Sequence, residues 1–179
     1  TAQVSEGLVV TTNSEKVRNA RRNILDMLLS NHKTDCFSCP SNGDCKLQEL
    51  CFEYGIERTT YSGEQTELPI DDSNKFFTYN PNLCILCHRC VNTCHKIVGR
   101  GAIDTMERGF DSAIGTPFHI DWADTNCESC GNCVQACPTG ALTMKRRKNY
   151  RKYQIDKKVL TTCPHCATGC QYYLLVKDN

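Results

Sequence analysis

Little in this chain could build a large core. Aromatic residues make up only 8% of its 179 residues, and hydrophobic residues of all kinds 40%. No apolar run approaches the ~20 residues that a membrane-spanning helix needs. The formal net charge is only +1, so no global field points to nucleic acid or an acidic membrane. No apolar signal segment opens the chain, as none would open a mature secreted one. No acid, base or nucleophile stands out, and no catalytic residue is assigned. These shortages describe a soluble, cytoplasmic protein made of small modules. Each module has too little core to be comfortable without a bound group.

What the chain does have is cysteine, 15 of them. That richness means either a disulfide scaffold or metal binding. The count is odd, so disulfides alone would strand a thiol. The cysteines are also clustered two or three residues apart, whereas a scaffold would spread them to staple distant loops. Metal is the better reading.

A pass along the chain places the clusters. The β-branched run Val9, Val10, Thr11 suggests a short strand near a domain boundary. Thr12 with Glu15 fits a capping box, and a helical pattern runs to about Ser30. Val17, Ala20, Ile24, Met27 and Leu28 line one face of it. Arg18, Arg21 and Arg22 fall elsewhere, on a solvated or partner-docking face. A loop over 32–45 leads to a second helix, roughly Cys45–Tyr54, with Leu47, Leu50, Cys51 and Tyr54 on one face and Gly55 as a stop. Residues 56–75 read as a surface connection. Residues 76–144 hold an internal repeat of strand, Cys loop, short helix and strand, with Phe76–Tyr79 and Phe118–Trp122 as the leading strands. Residues 145–158 are a basic tether. The last stretch, from Lys158, reads as strand, Cys loop, strand.

Two runs are the most specific signal. Cys84, Cys87, Cys90, Cys94 and Cys127, Cys130, Cys133, Cys137 both read C-x2-C-x2-C-x3-C. Three thiolates spaced by two residues wrap three corners of one [4Fe–4S] cube. The fourth sits on the helix leaving the loop and ligates the other cube, as in two-cluster ferredoxins. The pairing is therefore crossed: Cys84, Cys87 and Cys90 with Cys137, and Cys127, Cys130 and Cys133 with Cys94. Zinc sites usually place their ligand pairs on separated knuckles. The second run continues with Pro138, but the first has His95 there, so the first loop should leave its site differently. His88 and His95 read as hydrogen-bonding or surface residues, with ligation or tuning as the alternative. His32, Cys36, Cys39 and Cys45 form a third set. By ligand type alone this is a zinc site or an iron–sulfur site. Cys51 reads as a buried, inert thiol. Cys163, Cys166 and Cys170 are a fourth, incomplete set. It needs one more ligand, either His165 in strained geometry or a cysteine beyond this chain.

From Thr1 to about Met144, the order of helix, His- and Cys-bearing loop, "GDCKLQEL" and two Cys runs resembles a known iron–sulfur region. Complex I large subunits, [FeFe]-hydrogenases and NAD-linked molybdenum or tungsten formate dehydrogenases share it. The tail "TTCPHCATGCQYYLLVKDN" is similar to the opening of bis-pterin molybdenum or tungsten domains. The formate dehydrogenase arrangement thus covers all 179 residues and the others about 80%, and two complete ferredoxin sets count against complex I.

The resemblance implies three complete [4Fe–4S] clusters, the third on His32, Cys36, Cys39 and Cys45. A fourth would sit on Cys163, Cys166 and Cys170 with one outside ligand. It also implies a molybdenum or tungsten bis-pterin cofactor beyond Asn179, and a [2Fe–2S] domain ahead of Thr1. Partners would be flavin- and NAD-binding iron–sulfur subunits, with ferredoxin another candidate.

The expected fold is α+β, in small iron–sulfur modules. A His-ligated domain spans 1–75, a two-cluster ferredoxin-like domain 76–144, a linker 145–158, and the opening of a further iron–sulfur domain 159–179. The expected function is an electron wire inside an oxidoreductase. Alternatives are a hydrogenase or complex I subunit, a stand-alone ferredoxin-like carrier and, remotely, a zinc-structured RNA-binding module.

Overall fold

Helix α1 runs Glu15–Ser30 in the computed structural model, which describes residues 3–146 and 154–177. Its cap is Ser14, whose hydroxyl accepts from the Val17 N–H at 3.3 Å. Thr12 is thus not the cap; Ser14 performs the same chemistry closer to the apolar run. The buried face is Leu25 and Leu29, while Ile24 and Met27 are exposed. The expected stripe is rotated because only the last turns of α1 have a partner. That partner is α2, Lys46–Glu53, whose Leu47 and Cys51 close a small core with Leu25 and Leu29. Tyr54 beyond it receives a hydrogen bond from Arg21 at 3.2 Å, and the Arg18 guanidinium lies 5.3 Å from its ring. The arginine face is therefore partly used within the chain. No strand forms at Val9–Thr11, where Val9 and Val10 are exposed.

Residues 56–75 strap this helical pair to the next module. Asp26 on α1 accepts from Thr59 Oγ1 at 2.8 Å, Thr60 N at 2.9 Å and Thr60 Oγ1 at 2.6 Å. Further along, Thr66 N–H donates to Asn31 Oδ1 and Leu68 N–H to Asn82 Oδ1. Direct sutures add to the strap: Lys33 N to Asn82 O at 3.3 Å, and Lys46 N to Pro138 O at 2.8 Å.

The second module is built on two antiparallel pairs. Strand β1, Phe77–Tyr79, pairs with β4, Leu142–Met144. Strand β2, Asp104–Met106, pairs with β3, Ala113–Gly115. Short helices α3, Arg89–Asn92, and α4, Asn132–Ala136, follow the two Cys loops. Phe77, Tyr79, Ile103, Ile114 and Trp122 form the core, with Trp122 edge-on to Phe77 at 5.1 Å. The stretch 118–122 is not a strand. Short 3₁₀ turns occupy Pro117–His119 and Trp122–Asp124. Trp122 instead fills the core, held by its backbone N–H, which donates to Asp71 Oδ2 at 2.9 Å. The repeat is one of Cys loops and helices, without matching leading strands.

The final hairpin pairs β5, Lys157–Thr162, with β6, Gln171–Val176, around the last Cys loop. Of the basic tether, residues 147–153 lie outside the described residues. Among the described residues, no helix is long and apolar enough to cross a membrane.

Candidate iron–sulfur centres

The two Cys runs are shaped by the same backbone device. In the first, Leu86 and His88 adopt φ of 50° and 57°; in the second, Ser129 and Gly131 stand at 54° and 76°. Left-handed geometry at a non-glycine residue costs roughly 1–2 kcal/mol. Both loops adopt it at the same two positions, which turns their thiols to one side. It also aims backbone amides at sulfur: Leu86 N–H at Cys84 Sγ and Ser129 N–H at Cys127 Sγ, each at 3.4 Å. The Asn132 side-chain amide reaches Cys130 Sγ at 3.4 Å.

Electrostatics record which thiols face one another. Burial pushes Cys90 up to about 12, and repulsion from Cys84, Cys137 and then Cys87 adds to it. Cys84 rises to about 11, first through burial, with Cys137 and Cys87 again contributing. Cys133 rises to about 12 through burial, then through Cys127, Cys130 and Cys94. The fold thus brings Cys84, Cys87, Cys90 and Cys137 to one place, and Cys94, Cys127, Cys130 and Cys133 to another. Each group draws three thiols from one loop and one from the other. Buried thiols so crowded resist ionising together unless positive charge stands among them. Iron supplies that charge, so the donor sets fit [4Fe–4S] groups. Among the described residues, no three His, Cys, Asp or Glu side chains converge on a single ion.

The exits from the loops differ. Cys137 leaves α4 in extended geometry ahead of Pro138, the conformation a following proline favours. Cys94 lies inside a π-helical turn, Thr93–Val98, which ends at Gly99. His95, in the proline's place, contacts the Ile103 carbonyl at 2.9 Å and the Asp104 carboxylate at 3.4 Å. His88 contacts Thr105 Oγ1 at 3.1 Å. Both histidines brace the segment that ends in β2. The wider turn also lets Ala102 N–H reach Cys94 Sγ at 3.3 Å.

The third group sits between α1 and α2. His32 follows the end of α1, and its N–H still bonds Leu29 O at 3.1 Å. Its ring is buried, and Nδ1 has no hydrogen-bond partner. Burial holds the imidazole below its ordinary pKa, and so neutral. A neutral imidazole with an unpartnered buried nitrogen is a metal donor in waiting. Cys45 caps α2, and its thiol is raised by burial, with Cys39 and Cys36 adding repulsion. Cys36 is raised by burial, then by Cys39 and Asp35. His32, Cys36 and Cys45 line one open cavity. Cys39 is the strongest neighbouring charge on both thiols, and its Sγ also lies against Gly140 of the ferredoxin-like module.

Cys163, Cys166 and Cys170 lie in the mouth of the β5–β6 hairpin. Cys163 N–H bonds Cys170 O at 2.8 Å. Cys166 is exposed, and its thiol is lowered by the Thr168 hydroxyl and then by the Thr168 N–H. His165 is also exposed. The loop brings the first and third cysteines together.

Three supporting residues have no motif to announce them. Tyr79 buries its hydroxyl on Ile114 O at 2.5 Å and within reach of Cys84. Thr139 Oγ1 ties Leu83 O at 2.7 Å. Gly140 leaves room for Cys39. The alternation of β1 could have flagged Tyr79; the other two carry no local signal.

Comparison with known proteins accords with this geometry. Residues 21–60 match the NADH-ubiquinone oxidoreductase-G iron–sulfur binding region, and residues 75–143 the ferredoxin-like domain of NADH-quinone oxidoreductase subunit 3. A 4Fe-4S dicluster domain matches residues 126–173. That match joins the second Cys run to the last loop and overlaps the previous one. The position of Cys137 beside Cys84 and Cys90 favours the pairing within 75–143.

The alpha subunit of the Geobacter sulfurreducens NADPH-Fe(3+) oxidoreductase is 40% identical over 94% of this chain and 20% of its own length. The Thermus thermophilus NADH-quinone oxidoreductase subunit 3 is 32% identical over 93% of this chain and 23% of its length. A Staphylococcus aureus protein provisionally named a formate dehydrogenase is 27% identical over 98% of this chain and 22% of its length. The NAD+-reducing [NiFe]-hydrogenase structure superposes with a TM-score of 0.74 at 30% identity, covering 80% of this chain and 61% of that one. The chain thus spans about a fifth of the length of these curated relatives. Coverage does not set complex I-type subunits apart, since the Thermus subunit also matches 93% of the chain. Residues 21–60 and 75–143 thus carry the iron–sulfur electron-transfer domains found in NAD(P)-linked oxidoreductases, with relatives of the complex I, hydrogenase and formate dehydrogenase-like types.

Proposed function

We propose that this chain holds three complete [4Fe–4S] groups and part of a fourth. The ligands are His32, Cys36, Cys39 and Cys45; Cys84, Cys87, Cys90 and Cys137; Cys94, Cys127, Cys130 and Cys133; and Cys163, Cys166 and Cys170 with one donor from outside. The observation that carries this is the crossed grouping of thiols, together with the unpartnered nitrogen of His32. A bound [4Fe–4S] group supplies one-electron oxidation and reduction. The chain's residues set how easily. Amide donors on Cys84, Cys94 and Cys127 favour added electrons. Neutral His32 in place of a thiolate makes its site less negative.

The domains run 1–75, 76–144 and 159–179, with 145–158 as linker. In the whole protein, the wire joins a molybdenum or tungsten site beyond Asn179 to a flavin- and NAD-binding partner in the cytoplasm, within a formate dehydrogenase-like oxidoreductase. The Cys-bearing hairpin and the relative covering 98% of the chain support that version. Metal analysis of the native complex, purified without oxygen, tests it. Three cubes require about twelve irons from this stretch. Iron at that level with stoichiometric molybdenum or tungsten, and formate oxidation, is the expected result. Iron without either metal would move the chemistry to a hydrogenase-like site. Zinc in place of iron would overturn the wire.

A further inference from the structure

The cavity that His32, Cys36 and Cys45 line has a fourth potential donor in its wall, Cys51. This thiol is buried, 8% exposed. Burial raises its thiol pKa first, and the charges of Cys45 and then Cys36 add to it. Its helix explains the position. Cys45 caps α2 and Cys51 lies on it. Helical side chains lean toward the N-terminus, which tips Cys51 back toward Cys45. A buried cysteine alone would be core filling. Here the same cavity also holds the one buried side-chain nitrogen or oxygen without a partner among the described residues, on His32. His32 is the one non-thiolate donor of its set.

We propose that Cys51 is a reserve ligand of the His32 site, able to take the imidazole's place on a [4Fe–4S] group. This rests on the reading that His32, Cys36, Cys39 and Cys45 hold such a group. The exchange needs no electron. The bond to the imidazole nitrogen breaks, a bond to the Cys51 sulfur forms, and the thiol proton passes to water. The site gains one negative charge, so its reduction becomes harder. Two ligand states on one scaffold would give two potentials at a single position in the wire.

The native complex is purified without oxygen as wild type, His32→Ala, Cys51→Ala and His32→Ala/Cys51→Ala. Iron is counted per complex, and nitrogen hyperfine coupling is read on the reduced clusters. Wild type should show one nitrogen-coupled cluster; its absence would refute the underlying reading, and the proposal with it. His32→Ala should lose the nitrogen coupling, keep its iron and shift that cluster to a more negative potential. The double variant should lose about four irons relative to wild type, while the ferredoxin-like clusters report that the complex is folded. Cys51→Ala should match wild type in iron and nitrogen coupling. Loss of the cluster in His32→Ala alone, with the other clusters intact, would overturn the proposal and leave the reading of the site standing. Full iron in the double variant would overturn it too. Where His32→Ala does not fold, His32→Leu fills the space without ligating and gives the same two readings.

Discussion

A single methyl group at Gly140 should disturb a centre to which Gly140 does not belong. A Cβ there would stand 2.8 Å from Cys39 Sγ, 3.3 Å from Leu83 Cδ1 and 3.5 Å from Ser41 Cβ. Heavy atoms settle at about 3.5–4.0 Å, so the sulfur must retreat by roughly 1 Å. A free thiol could swing aside. One bound to a cluster cannot, and Ser41 beside it is only 2% exposed. Overpacking of this kind costs about 1–3 kcal/mol. At about 1.4 kcal/mol per tenfold, retention at the His32 site should weaken roughly five- to 150-fold. The assay is chelator challenge of anaerobic Gly140→Ala complex, followed by the electron paramagnetic resonance of each cluster. The His32-site signal should broaden or vanish first, with the other two unchanged. Identical spectra and identical loss rates in variant and wild type would refute the argument that Cys39 is clamped between a cluster and Gly140.

Cys94→Ala should empty the site formed with Cys127, Cys130 and Cys133, removing about four irons and sparing the site next to its own loop; loss at the Cys84 site instead would break the crossed scheme. Tyr79→Phe removes a buried hydrogen bond to Ile114 and should cost about 0.5–1.5 kcal/mol in denaturant unfolding, along with a changed potential at the Cys84 site. An unchanged midpoint and potential would show that the hydroxyl does neither job. The Asp26 carboxyl is held below its usual range, chiefly by the Thr60 hydroxyl and then by the Thr60 N–H. A depressed carboxyl stabilises the fold above its unfolded pKa and loses that effect as pH falls through the folded one. Protection of the Thr60 amide against exchange should therefore fall on going from about pH 5 to about pH 3, and equal protection at both would contradict the anchor.

The candidate donors are readable because ligand spacing is a local property. A loop that wraps a cube writes its period into consecutive residues, so the two runs, the His32 set and the last hairpin can be placed from the chain alone. The hairpin strands are equally plain, since alternation and turn residues sit side by side. Packing is less legible. The buried face of α1 depends on where α2 lies, and Ile24 and Met27 are as apolar as Leu25 and Leu29. The neighbours of Trp122 favour β structure, yet Phe77, Tyr79 and Asp71, far back in the chain, decide its position. The Gly140 contact is of the same kind: a glycine shows its purpose only when its neighbour is known.

The interleaving of the two Cys loops also dictates an order of manufacture. On this ligand scheme, a growing polypeptide that has emerged as far as Cys94 carries the whole His32 quartet, which can close. Neither ferredoxin-like centre can: one still lacks Cys137, and the other has only Cys94. Both wait for the same late stretch, Cys127 to Cys137, and become available almost together as it appears. A nonsense lesion just before Cys137 would leave the Cys94 centre with all its donors and the Cys84 centre one donor short, although the loop that fails was made first. On this scheme each centre borrows a donor across the pair, so neither can close until the second loop has been made.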